Sequence, residues 1–312
     1  MLKTDWAKLW LLCIIVALSS AAMGLLFLNA LFMLLALVAL ITLTVRYPII
    51  YLAAISLFSA IISMVIYGSP VGVLFLGMVL IPGILMGYKA KTFSSPLGIF
   101  SWGMAPFLLP LALIMVLYPQ LTAEAPIIIA EMRRMILGSS GTLGLNAQQQ
   151  QLLFASLETT VNWMLRLAPG IFLTIFMMLV LFALLGAMLV GPYFGAIIPR
   201  LKPLFLWKIS ELWLLPLGFA LFATLLGGHW LKITGENILV FLVHLYAFFG
   251  ICFVDFYFKK LRISLPIRLI IYLFVMFAMV VALPILALMG LVDSRFDFRK
   301  ISHLTGSSGN II

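Results

Sequence analysis

Three polar residues in one apolar stretch could do chemistry inside a membrane. Asn237 and His244 are seven residues apart, and Asp255 follows His244 by eleven. At ~100° per residue, both intervals bring the side chains within roughly 20° of one helix face. Ionisable groups in an apolar span are costly and mark ligand or ion pathways. The stripe therefore predicts the lining of a cavity, in which His244 would donate, accept or titrate.

Each member of this stripe also has a structural interpretation. Asp255 has Lys259 four residues later, which indicates an ordinary helix-end ion pair. His244 could hydrogen-bond across helices and hold the bundle together. Asn237 could be a polar helix start. Two tryptophans, which suit either an aromatic belt or ligand stacking, complete the candidate ligand-binding residues: Asn237, His244, Trp230 and Trp163.

Catalytic and metal-binding patterns are missing from the sequence. It has no His-Glu-x-x-His zinc helix, no glycine-flanked nucleophilic serine and no phosphate-binding loop. The three histidines and nine acidic residues leave few acid–base pairs within the apolar runs. Cys13 and Cys252 both fall inside apolar runs, which indicates neither a disulfide framework nor a metal cluster. We therefore expect no enzyme activity, no cofactor and no metal.

The elements that must position these residues are membrane helices. With 65% hydrophobic and 9% charged residues, and a mean hydropathy of +1.27, the chain has more apolar surface than a water-soluble fold can bury. The uncharged run from Leu9 to Val45 would form a helix of roughly 55 Å, against an apolar membrane core of about 30 Å. It therefore predicts two crossings with a turn near Asn29. The fold class predicted is an all-α polytopic bundle of about eight or nine spans.

The candidate crossings follow one another along a single integral membrane domain, residues 1–312. They are residues 9–28, 30–45, 49–67, 71–88, 97–118, 168–190, 212–227, 238–257 and 269–290. The net charge of +10 comes from basic residues scattered among the short gaps, which is typical of loops at a cytoplasmic membrane face and not of a nucleic-acid groove. Counting Lys and Arg by side places the amino terminus on the cytoplasmic side of the membrane.

Two polar segments interrupt this pattern. Residues 119–167 form one long outer loop, in which the stretch from Asn146 onward has a helical stripe. That stripe predicts either an interfacial helix or an extension of the sixth crossing, in both cases roofing the outer side. Residues 291–312 form a polar carboxyl-terminal tail.

Two further features suit partner docking. Small residues four apart, Ala17 with Ala21 and Gly83 with Gly87, let another helix approach closely. The inner loop from Gly191 to Glu211 is basic and rich in tryptophan, which indicates anchoring to anionic lipid head groups or docking of a partner. The candidate docking residues are Ala17, Ala21, Arg200, Lys208 and Glu211.

Two stretches carry a family resemblance. One is Arg200-Leu201-Lys202-Pro203-Leu204-Phe205-Leu206-Trp207-Lys208-Ile209-Ser210-Glu211-Leu212-Trp213, and the other is Gly290-Leu291-Val292-Asp293-Ser294-Arg295-Phe296-Asp297-Phe298-Arg299-Lys300. With Asn237-Ile238-Leu239 between them, they resemble the YybS-like family of bacterial polytopic membrane proteins. That family is grouped with the substrate-binding components of energy-coupling-factor transporters.

The resemblance implies capture of a small solute from outside and its transfer inward against a transmembrane coupling subunit driven by cytoplasmic ATPases. Such components dock through small residues on the first helix, where Ala17 and Ala21 stand here. They usually have fewer crossings than the nine predicted for this chain, and no vitamin-binding signature is recognisable. In the tail motif, charged residues would form a latch at a helix end or a set of solvated interface charges: Asp293, Arg295, Asp297 and Arg299.

Three functions follow from the sequence. The first is a solute-binding component of an energy-coupling-factor-like importer. The alternative is a non-transporting membrane interaction or assembly protein, and the third is an intramembrane enzyme. The implied partners are membrane lipids, a coupling subunit with its ATPases, and a small-molecule ligand, with no nucleic acid.

Overall fold

The protein is all-helical over the part of the chain that the structure describes. The structure is a computed structural model. It describes residues 6–21, 29–67, 76–92, 96–107, 111, 123, 125–136, 146–199, 201, 203–296 and 298–299. Every regular element in these ranges is a helix, which confirms the predicted fold class.

The described residues of the first part of the chain form helices α1 to α5. They are α1 (Trp6–Ala21), α2 (Asn29–Arg46), α3 (Ile49–Tyr67), α4 (Ile81–Lys91) and α5 (Pro96–Met104). A π-helical turn, Leu76–Leu80, leads directly into α4, and a 3-10 turn, Ala105–Phe107, follows α5. The uncharged run that is too long for one crossing is therefore divided between α1 and α2, and α2 begins at the residue where the turn was predicted.

From Ala147 onward, the described residues form helices α6 to α10. They are α6 (Ala147–Val190), α7 (Leu214–Leu226), α8 (His229–Lys260), α9 (Leu265–Phe277) and α10 (Met279–Phe296). Short 3-10 turns lie at Gly191–Phe194, Leu204–Leu206 and Glu211–Trp213, and residues 125–136 are helical as well.

Three of these helices, α6, α8 and α10, are long and apolar enough to cross a membrane. Helices α1, α2, α3, α7 and α9 are shorter apolar helices within the described residues. The count of eight or nine crossings stays a prediction, as does the side of the membrane on which each terminus lies.

Helix α6 is longer than the predicted sixth crossing. It is assigned as one helix of 44 residues, or roughly 66 Å, with Pro169 inside it. Its start is fixed by a capping box: the Asn146 side chain accepts from the Gln149 N–H at 2.8 Å, and the Gln149 side chain accepts from the Asn146 N–H at 3.0 Å. The stripe after Asn146 is therefore an extension of the sixth crossing and not a separate interfacial helix.

Internal contacts divide the chain into two compact units. Unit 1 comprises Met1–Pro110 and Ile175–Pro203, and unit 2 comprises Leu111–Thr174 and Leu204–Ile312. The prediction of one integral membrane domain is not tested by this division.

In unit 1, helix α4 packs closely against α2 through glycines. A Cβ atom at Gly83 would lie 2.8 Å from the Leu40 Cβ, and one at Gly87 would lie 2.9 Å from the Ile41 carbonyl oxygen. Distances this short leave no room for a side chain. The close approach predicted at Gly83 and Gly87 is therefore confirmed, and the neighbour is another helix of the same unit.

In unit 2, helices α8 and α10 touch backbone to backbone. A Cβ atom at Gly250 would overlap the Leu286 carbonyl, and one at Gly290 would overlap the Tyr246 carbonyl. Since the later residue of α8 faces the earlier residue of α10, the two helices are antiparallel. Both glycines are buried, so this contact cannot widen without opening the unit.

We expect Gly290→Ala to lower the free energy of unfolding by about 1–3 kcal/mol, because the added methyl group must displace the backbone of α8. Thermal unfolding of the purified protein in a fixed detergent measures the effect. Gly218→Ala is the matched control, because a Cβ at Gly218 in α7 meets nothing within 4 Å. Equal loss of stability in the two variants would contradict the close packing of α8 on α10.

Candidate functional site

The three polar residues of α8 bond to three different parts of the structure. Asn237 bonds to α6, His244 bonds within α8, and Asp255 bonds to α9. The shared helix face was read correctly from the spacing, but each residue has a different partner. Ligand contact by these side chains is not tested by their geometry and stays a prediction.

Asn237 joins α8 to α6 through its whole side-chain amide. Its oxygen accepts from the Gly170 N–H at 2.7 Å, and its nitrogen donates to the carbonyls of Arg166 and Ile233, each at 2.9 Å. The residue is 7% exposed. Its oxygen and its nitrogen are therefore already bonded to backbone groups in this structure.

The amide bonds α6 at the point where a proline interrupts the helix. Pro169 has no N–H, so the helical ladder loses a donor there. The Gly170 N–H and the Arg166 carbonyl are the pair that an uninterrupted helix joins to each other. Both bond to the Asn237 amide, which supplies partners for the backbone next to the interruption. We call this arrangement of Asn237, Gly170 and Arg166 the amide clamp.

A glycine at position 170 makes the amide clamp possible. A Cβ there would lie 3.0 Å from the Asn237 Cα, so a side chain would push α8 away from α6. The Gly170 carbonyl in turn accepts from the Thr174 hydroxyl at 2.8 Å. Pro169 and Gly170 together therefore provide both the interruption and the space that Asn237 uses.

An ion pair lies directly beside the amide clamp. Two nitrogens of Arg166 face the two oxygens of Glu236, with Nε–Oε2 at 2.5 Å and Nη2–Oε1 at 2.6 Å. The side chains are 32% and 13% exposed. The Arg166 guanidinium carbon is also 6.0 Å from the centre of the Trp163 ring. We call Trp163, Arg166 and Glu236 the rim cluster.

Sequence reasoning had singled out Trp163 but missed the other two members of the rim cluster. Glu236 immediately precedes Asn237, and Arg166 lies three residues before Pro169. Their positions in the sequence could have indicated the pairing, since each charge lies close to a residue of the amide clamp or to the proline that interrupts the helix. Trp163 and Trp230 are 53% and 57% exposed, as candidate ligand-stacking residues must be.

His244 is half-buried in α8. Its Nδ1 lies 2.7 Å from the Val240 carbonyl oxygen of the same helix. This contact fixes the ring orientation along the helix. The roles predicted for His244 as a ligand contact or as a bond between helices both stay predictions.

Asp255 holds α8 to α9. Its carboxylate accepts from the Tyr272 hydroxyl at 3.0 Å and lies 3.5 Å from an Arg268 nitrogen. The Lys259 ammonium, predicted as its partner from the spacing, lies 3.6 Å away. The local ion pair is confirmed, and the structure adds two partners from the next helix.

The tail motif folds back and buries its last arginine. Nε and Nη2 of Arg299 bond to one oxygen of Asp293 at 3.0 and 2.7 Å. Nη1 and Nη2 also donate to the carbonyls of Phe205 and Trp207 at 2.8 and 2.7 Å. The side chains of Arg299 and Asp293 are 0% and 3% exposed. We call this arrangement the tail latch.

Arg295 of the tail motif is not part of the tail latch. Arg295 pairs with Glu211 at 3.0 Å, and both side chains are more than half exposed. Asp297 lies outside the described residues. Helix α10 continues through Phe296 and buries Asp293, so the first residues of the predicted polar tail belong to this helix. The interpretation as solvated charge fits Arg295, whereas the latch interpretation fits Asp293 and Arg299.

The candidate docking residues are dispersed. Ala17 and Lys208 are half-buried, and Glu211 is engaged by Arg295. The side chain of Ala21 and all of Arg200 and Lys202 lie outside the described part of the chain. Their role in docking stays a prediction.

Replacing Asn237 with Leu is expected to lower the free energy of unfolding by about 2–4 kcal/mol, because Gly170 and Arg166 each keep a buried backbone group without its partner. Thr234→Ala is the control, since the Thr234 hydroxyl bonds the Trp230 carbonyl of its own helix. Thermal unfolding measures both variants. A loss no larger for Asn237→Leu than for Thr234→Ala would contradict the amide clamp.

Removing Arg299 is expected to cost about 3–5 kcal/mol, because Arg299→Met leaves the buried Asp293 carboxylate unpaired. The matched control is Arg295→Met, which removes an exposed pair and should cost at most about 1 kcal/mol. The double variant Arg299→Met, Asp293→Leu should recover part of the loss, since it removes the unpaired charge. Equal melting temperatures for the two single variants would show that the tail latch contributes nothing.

Comparison with known proteins identifies the family. No curated protein and no solved structure matches this chain. Residues 13–294 match the family described as predicted membrane protein (DUF2232). The matched region contains the amide clamp, the rim cluster and the Asp293 side of the tail latch. The chain therefore belongs to the DUF2232 family of predicted membrane proteins.

Proposed function

We propose that this chain is the membrane subunit of a solute importer, related to the substrate-binding components of energy-coupling-factor transporters. The rim cluster would capture a small polar solute from the outer side of a bacterial inner membrane. A coupling subunit with cytoplasmic ATPases would then drive its transfer inward. The chain itself would perform no catalytic step. The proposal builds on the membrane family to which the chain belongs and on its resemblance to the YybS-like proteins.

The observation that carries the proposal is a charged pair that is both partly exposed and rigidly held. Arg166 is 32% exposed, and the neighbouring amide clamp fixes the backbone at both partners. Preformed concave sites with a few fixed polar groups are typical of ligand binding. A charged pair that is already held in place needs little reorganisation when a solute arrives.

The chemistry of the rim cluster suits a small zwitterion. A guanidinium binds a carboxylate through two parallel hydrogen bonds, and Glu236 would take the positive group of the same solute. The exposed ring of Trp163 offers an additional face for that cation. Such a solute would exchange with the internal ion pair, so the charges stay compensated before and after binding.

A second function is favoured by a different observation. The side chains of Asn237, Asp255 and Asp293 all bond to other segments of the protein. Their polar groups therefore hold helices together, which suits a membrane interaction or assembly protein that transports nothing. Under this alternative, the rim cluster is one more such contact.

The two functions differ in what is bound to the purified protein. We expect protein extracted from its native membrane to release a small zwitterion on denaturation, detected by mass spectrometry, and to crosslink to a subunit that is associated with ATPases. Arg166→Gln should reduce the released solute by at least about tenfold, since one charge-assisted contact contributes ~1.5–3 kcal/mol. Arg133→Gln, which removes a more exposed pair with Glu158, is the control.

Melting curves must show that Arg166→Gln remains folded. A folded wild-type protein that releases no solute and forms a stable complex without ATPases would overturn the importer and support the assembly function. Loss of solute in the Arg133→Gln control as well would separate the solute from the rim cluster.

A further inference from the structure

The charged residues described in unit 1 are all basic, whereas unit 2 contains both acidic and basic residues. Each acidic residue described in unit 2 lies within ion-pair distance of a basic residue, and these residues are Glu131, Glu158, Glu211, Glu236, Asp255 and Asp293. In the two ranges of unit 1, Asp5 is the single acidic residue, and it lies outside the described residues. The basic residues described in unit 1 are Lys8, Arg46, Lys89 and Lys91.

Arg46 and the two lysines of α4 lie at one end of unit 1. Leu40 of α2 faces Gly83 of α4, and Thr44 faces Gly87 one turn later. Residue numbers therefore rise together along the two helices, which makes α2 and α4 parallel. The same offset places Arg46 level with Lys89, and Lys91 one half-turn further along.

Two other segments reach this same end. The ring of Trp6, at the start of α1, is 6.1 Å from the ring of Tyr51 at the start of α3, and α3 follows α2 after two residues. This contact brings Lys8 to the end where α2 stops. The turn after α6 arrives there as well, because a Cβ at Gly195 would lie 3.3 Å from the Arg46 Nε.

Exposed aromatic residues accompany these basic residues. The Lys89 ammonium lies 4.5 Å from the centre of the Trp102 ring, and Trp102 is 45% exposed. Tyr88 and Tyr193 are exposed by 57% and 79%. Tryptophan and tyrosine beside lysine and arginine, at the ends of apolar helices, are typical of the membrane–water interface.

We propose that this end of unit 1, with Arg46, Lys89 and Lys91 as its charged groups, binds the head groups of anionic phospholipids. The apolar helices that carry these charges continue directly into the acyl-chain region, which suits a lipid better than an acidic soluble protein. The surface would lie on the cytoplasmic side, since basic residues accumulate there. This inference does not depend on the importer proposal.

Quenching of tryptophan fluorescence by brominated lipids tests the proposal on the full-length protein in neutral detergent. We expect brominated phosphatidylglycerol to bind at least about tenfold more tightly than brominated phosphatidylcholine, because a basic residue at an anionic surface contributes roughly fivefold. The preference should decrease with added sodium chloride. Inorganic phosphate at the same concentrations should not displace the lipid, since it lacks the acyl chains.

Four variants assign the preference to this surface. We expect a triple variant to lose most of the preference for phosphatidylglycerol: Arg46→Gln, Lys89→Gln, Lys91→Gln. Lys91 is exposed, so Lys91→Gln alone should lower this preference by about fivefold without affecting folding. A control variant removes the same amount of charge from unit 2 and should leave the lipid preference unchanged: Arg133→Gln, Arg134→Gln, Lys232→Gln. Arg46→Lys keeps the positive charge and should therefore retain the lipid preference.

Three results would overturn the proposal. One is equal binding of the two lipids by the wild-type protein. Another is an equal loss of preference in the unit 2 control. The third is binding of poly-L-glutamate in place of phosphatidylglycerol, which would assign the surface to an acidic polypeptide.

Discussion

A polar group inside an apolar environment must find its partner within the protein, because no water is present to bond it. Helix α6 meets this constraint at Pro169, where the chain lacks a backbone donor. The Asn237 amide of α8 bonds the backbone groups on either side. One interruption in one helix therefore determines which residue of another helix must lie beside it, and Gly170 provides the space. The rim cluster follows from this placement, since Arg166 and Glu236 are immediate neighbours of the bonded groups.

The same constraint accounts for the tail latch and for the contacts of Asp255. Arg299 could not lie at 0% exposure without a carboxylate and several carbonyl oxygens around it. Asp255 likewise draws Tyr272 and Arg268 of α9 against α8. Each acidic residue described in unit 2 is thus compensated within the protein. The basic end of unit 1 brings Arg46, Lys89 and Lys91 together beside the exposed Trp102 ring, which is why an anionic lipid head group suits it.

These observations connect the fold to both proposed functions. An importer subunit needs a firm contact between helices beside a solute site, and the amide clamp beside the rim cluster has that form. An assembly protein needs a stable bundle with one surface reserved for a partner, and the bonded polar groups of unit 2 suit that equally well. The difference between the two lies in whether the Arg166–Glu236 pair exchanges with a solute, which is a question of binding and not of packing.

The sequence by itself determined the features that depend on near neighbours along the chain. Hydropathy and length predicted the division between α1 and α2 and the position of α3, and four-residue spacing predicted the Asp255–Lys259 pair and the close approach at Gly83 and Gly87. Spacing along a helix fixes these features because its geometry is regular. Only the tertiary structure decided that Asn237 bonds α6, that Arg299 is buried against Asp293, and that α6 extends back to Ala147. The Asn237 contact with α6 and the Arg299 contacts with Phe205 and Trp207 depend on which segments face each other, and residues far apart in sequence carry no periodic signal of their contact. The start of α6 is fixed locally by the capping box of Asn146 and Gln149, which the sequence had left as one of two alternatives.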